Sequence, residues 1–204
     1  MKTDNIWYCP ERKKSVMKNA IQHYAQMLHE KGIGIHNFWE FNYQEYAAKV
    51  DPELVRRFEA GELIIKRQKM PDLILFEREI GRKVPDDLSE LLGYWQPGIF
   101  GFYKDYPECF MLFSALHFKG EGEDDFLHHK EGLIGRAKSW VSLYGGDIKR
   151  YIPIGIYDVN FCNFLLYEAG TGRIFIEDWD NDGEVEDEPA ANSLKELISG
   201  LDMR

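Results

Sequence analysis

Cysteine is scarce in this chain, and its scarcity excludes two classes of small protein. The 204 residues include three cysteines, Cys9, Cys109 and Cys162, which lie far apart and form no C-x-x-C pair. Disulfide-rich secreted domains need cysteines in even numbers, and zinc knuckles need them at short C-x-x-C spacings. The sequence therefore predicts neither a disulfide framework nor a zinc site, and it favours a reducing compartment.

The chain also lacks long apolar runs and an excess of basic over acidic residues. The apolar run at 109–118 is shorter than the roughly 18 residues of a membrane-spanning helix, and residues 1–14 show no apolar signal-peptide centre. The chain has 25 basic and 35 acidic residues, and its net charge of -10 disfavours contact with nucleic-acid phosphates or anionic lipid. We expect a soluble cytoplasmic protein with basic protein partners, no nucleic-acid partner and no direct membrane insertion.

Signatures of common catalytic centres are absent as well. The sequence has no H-E-x-x-H metalloprotease helix, no G-x-S-x-G nucleophile turn and no G-x-x-x-x-G-K-[ST] phosphate loop. His128 and His129 are adjacent, so on a helix they would point about 100° apart and would not share a metal ion. We therefore expect no catalytic residues, no cofactor and no metal site.

What the chain does contain is enough apolar surface for a substantial core, with 44% hydrophobic and 14% aromatic residues. A chain of this length buries about 70% of the surface that its unfolded form exposes. The patterns that follow fit one α+β domain with an appendage. Helical spacing of apolar residues occurs at 15–31, 73–80, 85–92, 126–143 and 192–201, and strand-like segments occur at 98–115, 151–156, 161–168 and 172–178.

Two local signals sharpen this α+β prediction. Gly170, Thr171 and Gly172 separate two strand-like segments, and glycine permits the positive φ of a tight hairpin turn. Ser193 and Glu196 have the spacing of a capping box at the start of a final helix. We expect helices packed on a small, mostly antiparallel β-sheet with a closing C-terminal helix. Residues 1–70 would form a helical N-terminal extension and 71–204 the core domain.

The order of these segments resembles the SUKH superfamily, which includes bacterial immunity proteins, fungal cell-wall regulators and the Syd proteins. The segments that carry the resemblance are Phe76–Gly81, Val84–Asp87, Ile152–Gly155, Gly172–Asp178 and the tail at 192–201. Within the superfamily, Tyr94–Pro97 and Glu123–Phe126, followed by Glu131 and Leu133–Gly135, are similar to stretches of Syd. The resemblance implies a non-enzymatic domain that binds a partner protein, most often a polymorphic toxin that it neutralises.

Acidic residues crowd the last hairpin and the loop after it. Positions 168–188 contain nine acidic residues and one basic residue, Arg173. Such a density of like charge suits either a docking surface for a basic protein or a solvated loop. Trp179 lies among these charges, where it would either anchor an interface or fold back onto the sheet. The candidate partner-binding residues in this loop are Asp178, Trp179, Asp180, Asp182 and Glu184. Tyr103 and Asp105, in an aromatic turn, are further candidates, and the alternative for Tyr103 is packing in the core.

The same loop also resembles part of a metal-binding loop. Asp178, Asp180, Asp182 and then Gly183 match the first half of a calcium-binding loop, in which oxygen ligands converge on one hard cation. The twelfth position of that loop is Pro189 rather than a bidentate glutamate, and a strand rather than a helix precedes it. A solvated or partner-facing turn is therefore favoured over calcium.

Three functional hypotheses follow. The first is a cytoplasmic immunity protein that neutralises a polymorphic toxin, such as a nuclease, through an acidic surface. The second is a Syd-like regulator that binds the cytosolic loops of the translocon, which the positive-inside rule makes basic. The third is a calcium- or carboxylate-dependent hydrolase that uses the loop at 178–184.

Overall fold

A computed structural model of the chain describes residues 16–33, 52–62, 65–66, 73–95, 99–112, 133–157, 163–178 and 184–204. The helices in these ranges are α1 (Val16–Glu30), α2 (Pro52–Glu59), α3 (Leu73–Ile80), α4 (Asp86–Leu92), α5 (Leu133–Tyr144) and α6 (Leu194–Gly200). The strands are β1 (Ile65–Lys66), β2 (Tyr94–Trp95), β3 (Ile99–Tyr103), β4 (Cys109–Leu112), β5 (Tyr151–Tyr157), β6 (Asn163–Glu168), β7 (Ile174–Asp178), β8 (Glu184–Val185) and β9 (Leu201–Asp202).

The strands build a seven-stranded sheet in the order β8-β7-β6-β5-β4-β3-β9, while β1 and β2 pair separately. Every neighbouring pair in the large sheet is antiparallel. The turn between β6 and β7 contains Gly172 at a φ of 78°, as the hairpin signal predicts. The predicted α+β class with a mostly antiparallel sheet is therefore confirmed.

Alternation along the strands divides the apolar side chains between two faces of the sheet. On one face, Leu165, Ile174 and Ile176 join a core with buried residues of α1, α3, α4 and α6. On the other face, Leu166 and Phe175 pack in a smaller cluster with Trp140 of α5. The sheet thus lies between a layer of several helices and the single described helix α5.

The closing helix α6 begins with the predicted cap. Ser193 Oγ accepts a hydrogen bond from the backbone N–H of Glu196 at 3.0 Å. Glu196 Oε2 accepts in return from the backbone N–H of Asn192, one residue before the cap, at 3.2 Å. This exchange satisfies backbone donors that a helix start leaves without partners. After α6 the chain adds β9 alongside β3, a strand that the sequence pattern does not predict.

Helix α1 belongs to the main core rather than to its periphery. Its apolar stripe is buried against α4 and α6. Tyr24 reaches the sheet, where its hydroxyl donates to the backbone O of Phe100 at 2.8 Å and accepts from the N–H of Phe100 at 3.0 Å. The part of the predicted N-terminal extension that forms α1 is therefore integral to the fold, while the boundary at residue 70 stays a prediction.

We expect Tyr24→Phe to lower the free energy of unfolding by about 1–3 kcal/mol, because it removes two buried hydrogen bonds to the backbone of Phe100. Urea unfolding curves measure the change. Tyr103→Phe is the matched control, since it removes one hydrogen bond to Glu196, which keeps bonds from Lys104 and Asn192. Equal losses in the two variants would contradict the role assigned to Tyr24.

Candidate functional site

A cleft of about 550 Å³ opens on the face of the sheet that carries α5. Its walls are the C-terminal end of α5, the turn that leads into β5, the first half of β7 and the segment 184–187. The turn follows α5 because Gly145, at a φ of 65°, ends the helix in a left-handed conformation. The cleft therefore lies where α5 ends, beside β5 and β7.

Three buried rings form the aromatic floor of the cleft: Trp140 of α5, Tyr151 of β5 and Phe175 of β7. Tyr151 meets both of the others edge-to-face, with centroid distances of 6.4 Å to Trp140 and 5.7 Å to Phe175. Edge-to-face aromatic pairs at these distances are favourable beyond their buried area. The aromatic floor is thus a packed unit that draws on three separate elements.

A buried carboxylate fixes Trp140 in this unit. Glu177 is fully buried, and its Oε1 accepts from Trp140 Nε1 at 2.9 Å while its Oε2 accepts from the N–H of Phe164 at 3.1 Å. Burial raises the pKa of Glu177 above its ordinary value, although both hydrogen bonds act in the opposite direction. The carboxyl group holds α5 to the sheet and is enclosed rather than presented to a ligand.

Two arginines border one end of the cleft, and we call them the arginine pair: Arg150 and Arg173. Both donate to Glu168, Arg150 to Oε1 at 3.0 Å and Arg173 to Oε2 at 2.9 Å. Each guanidinium also lies over a ring of the floor, Arg150 over Tyr151 at 4.8 Å and Arg173 over Phe175 at 5.1 Å. A hydrogen bond from Thr171 Oγ1, together with the arginine pair, lowers the pKa of Glu168 to about 2.

The segment after β7 gives the cleft an acidic side. Glu184, Glu186 and Asp187, which we call the acidic edge, line it and are exposed. Their position follows from the register of β8, because Glu184 pairs with Asp178 and the N–H of Glu186 donates to the O of Ile176. The cleft therefore combines an aromatic floor, a neutralised arginine pair and an exposed row of carboxylates.

The predicted site residues fall in three places. Asp178 ends β7 and is paired in register with Glu184, which lies in the acidic edge. Trp179, Asp180 and Asp182 lie outside the described residues. Tyr103 is 1% exposed and packs against Phe110, which favours the core-packing alternative, whereas Asp105 is exposed in the turn between β3 and β4.

The described carboxylate side chains of the segment 168–188 are either buried or exposed. Glu168 and Glu177 are buried, and both accept hydrogen bonds from neighbouring groups, so they do not belong to a docking surface. Within the described ranges, no three His, Cys, Asp or Glu side chains gather as metal ligands. The calcium hypothesis rests on a loop that is largely outside those ranges and stays a prediction.

Sequence reasoning missed the aromatic floor and the arginine pair. Trp140, Tyr151 and Phe175 lie in three segments, and each fits an ordinary core position in its own pattern. One signal was present, since Arg150 directly precedes an apolar strand and Arg173 directly precedes another. Arg150 and Arg173 precede the two strands that flank β6, and both donate to Glu168 at the end of β6.

Comparison with known protein-family models and with curated proteins found no match for this chain. The resemblance to the SUKH superfamily therefore rests on the segments quoted above and stays a prediction. In the described part of the chain, no helix has the length and apolar character that crossing a membrane requires.

Gly146→Ala should disrupt the aromatic floor, because a Cβ at Gly146 would lie 2.4 Å from the ring of Trp140. Moving that ring strains its bond to Glu177, and we expect a loss of about 1–3 kcal/mol in the free energy of unfolding. Gly145→Ala is the control, since no atom lies within 4 Å of its added Cβ and only the left-handed φ carries a cost. Indole fluorescence should change for Gly146→Ala alone; an equal change in both variants would contradict the close packing of Trp140.

The ion pairs of Glu168 should make the free energy of unfolding depend on pH under acidic conditions. The pKa of Glu168 is lower in the folded chain than its ordinary value of 4.5, so its contribution is present above about pH 4.5 and is lost as the pH falls towards 2. Wild type should therefore exceed Glu168→Gln in unfolding free energy at pH 7, with the difference shrinking below pH 4.5. Urea titrations across this range test it, and a difference independent of pH would contradict it.

Proposed function

We propose that this chain is a non-enzymatic, cytoplasmic protein-binding domain that holds a basic partner at the cleft. The partner in this proposal is a toxin domain, such as a nuclease, which the chain neutralises. The observation that carries the proposal is the meeting of exposed carboxylates and an aromatic floor in one concave site. Carboxylates give charge complementarity to a basic surface, and the packed rings beneath them hold the cleft in shape.

The two carboxyl groups with shifted pKa values at the cleft support a binding role over catalysis. Shifted pKa values are frequent in active sites, but structural networks produce them as well. Glu177 is enclosed by Trp140 and Phe164, and Glu168 is engaged by the arginine pair and Thr171. Each shift therefore has a structural cause. What the cleft exposes is charge, because the rings of its floor are buried.

The exposed carboxylates of the acidic edge continue past the cleft. Glu188 continues the exposed carboxylates of Glu186 and Asp187 along the chain after β8. A nuclease surface that binds phosphates is positive, so a projecting row of carboxylates would occupy it in place of nucleic acid. Neutralisation of the toxin then requires slow dissociation of the complex and no catalytic turnover by this chain.

A second candidate function is favoured by the concave shape. A pocket of about 550 Å³ has the size of sites that enclose a small group, so it suits a protruding basic loop better than another concave cleft. The cytosolic loops of the translocon are basic by the positive-inside rule. Binding of such a loop is the Syd-like alternative.

The double substitution Glu184→Gln and Asp187→Asn should weaken binding of the partner by about tenfold or more, because it removes two exposed charges of the acidic edge. The control is Glu30→Gln with Asp86→Asn, which removes the same charge from exposed positions of α1 and α4 on the opposite side of the sheet. The measurement is titration against purified basic nuclease toxins and against vesicles that carry the translocon.

Each probe decides one part of the proposal. Site-dependent binding to a toxin supports neutralisation, and site-dependent binding to translocon vesicles, absent from plain vesicles, supports the alternative. Binding should weaken as added salt shortens the Debye length from about 10 Å at 0.1 M. Equal losses in the site and control variants, or binding to neither probe, would overturn docking at the cleft.

A further inference from the structure

The two edges of the seven-stranded sheet differ in how their backbone groups are satisfied. At the edge formed by β3 and β9, side chains of α1 and of the residue that follows it cover the backbone. The hydroxyl of Tyr24 bonds both the N–H and the O of Phe100, and Lys31 Nζ donates to the O of Met203 at 2.7 Å. An edge without such cover offers its N–H and C=O groups to another chain. The β9 edge is therefore occupied from within the fold.

The edge formed by β8 has no such cover among the described residues. The N–H of Glu186 donates to the O of Ile176 at 3.1 Å, and Glu184 pairs with Asp178. Successive residues of a strand direct their backbone groups to opposite sides, so the N–H and C=O of Val185 point away from β7. In the described part of the chain, no group bonds the backbone of Val185. This residue therefore presents one donor and one acceptor to an incoming strand.

The side chains of β8 divide between the two faces of the sheet. Val185 packs against the smaller cluster beneath α5, so Glu184 and Glu186 lie on the opposite face. Ile176, which is opposite Glu186, belongs to the main core on that face. Both glutamates are exposed. A strand that pairs with Val185 therefore places its two flanking side chains next to two carboxylates on one face.

Charge selects the occupant of this edge. Opposite charges on directly facing positions of paired strands are favourable, whereas like charges there are destabilising. Asp187 and Glu188 extend the exposed carboxylates beyond Glu186. A second copy of this chain would place its own acidic β8 against these charges. The β8 edge therefore disfavours pairing with itself and favours a basic strand.

We propose that the β8 edge binds an extended segment of the partner as an added antiparallel strand with basic side chains at alternate positions. One partner residue exchanges two backbone hydrogen bonds with Val185, as a single residue does only in antiparallel pairing. The residues on either side of it are Lys or Arg and lie opposite Glu184 and Glu186. In strand addition, main-chain bonds supply affinity and alternate side chains supply specificity. This inference rests on the proposed function and specifies how its basic partner is held.

A capped decapeptide of alternating lysine and valine, titrated with the full chain by fluorescence anisotropy, tests the inference. In the proposed pairing a valine lies opposite Val185 and directs its N–H towards β8, whereas each lysine directs its N–H away. N-methylation of all the valines should therefore weaken binding by about tenfold or more, and N-methylation of all the lysines by less than twofold. The amide exchange of Val185 should slow when the unmethylated peptide is bound.

Variants of the chain test the contribution of charge. Glu184→Gln with Glu186→Gln should weaken binding of the unmethylated peptide by about fivefold, because it removes both facing carboxylates. Glu30→Gln with Asp86→Asn removes the same charge from exposed positions elsewhere and should change binding less than twofold.

The outcomes separate this inference from the proposed function. Equal effects of the two methylations, or a larger effect at lysine, would overturn strand addition; a loss of binding in the Glu184 and Glu186 variant would then leave docking at the acidic edge standing. No binding of the peptide, or binding that this variant does not alter, would also overturn strand addition. The titrations against toxins and translocon vesicles decide the proposed function independently.

Discussion

The hydrogen bond between Trp140 and Glu177 is the interaction on which the cleft depends. A carboxylate buried in a sheet face is costly unless donors satisfy it, and here the indole N–H of Trp140 and the backbone N–H of Phe164 do so. The bond sets where α5 crosses the sheet, and the end of α5 sets where the cleft begins. One buried polar contact thus determines the position of an exposed site.

Some of the described carboxylates in and after the last hairpin are buried and stabilise the fold, whereas others are exposed. Glu168 and Glu177 use their charge within the fold, one to order the arginine pair and the other to hold α5. Glu184, Glu186 and Asp187 remain exposed along the edge of the described sheet. Charged side chains on an edge strand also oppose uncontrolled strand pairing, so the acidic edge protects this side of the sheet.

Sequence patterns predicted α1, the β6–β7 hairpin and the capped helix α6, because their signals are local: apolar spacing, a glycine turn and a Ser–Glu pair. They did not predict the cleft, because Trp140, Tyr151, Phe175 and Glu184 come from four elements that only the tertiary fold brings together. Counting carboxylates along the chain also treated Glu168 and Glu177 as surface charges. Their burial depends on partners at Trp140 and Arg150, which are distant in sequence.

Site-specific photo-cross-linking in host cells tests the central claim most directly. A benzoylphenylalanine at Val185, beside the acidic edge, should form an adduct with one protein through a peptide that carries basic residues, and Glu184→Gln with Asp187→Asn should suppress it. The same probe at Lys195, exposed on α6, should form none. No adduct at position 185, or equal adducts at both positions, would contradict docking of a basic partner at the cleft.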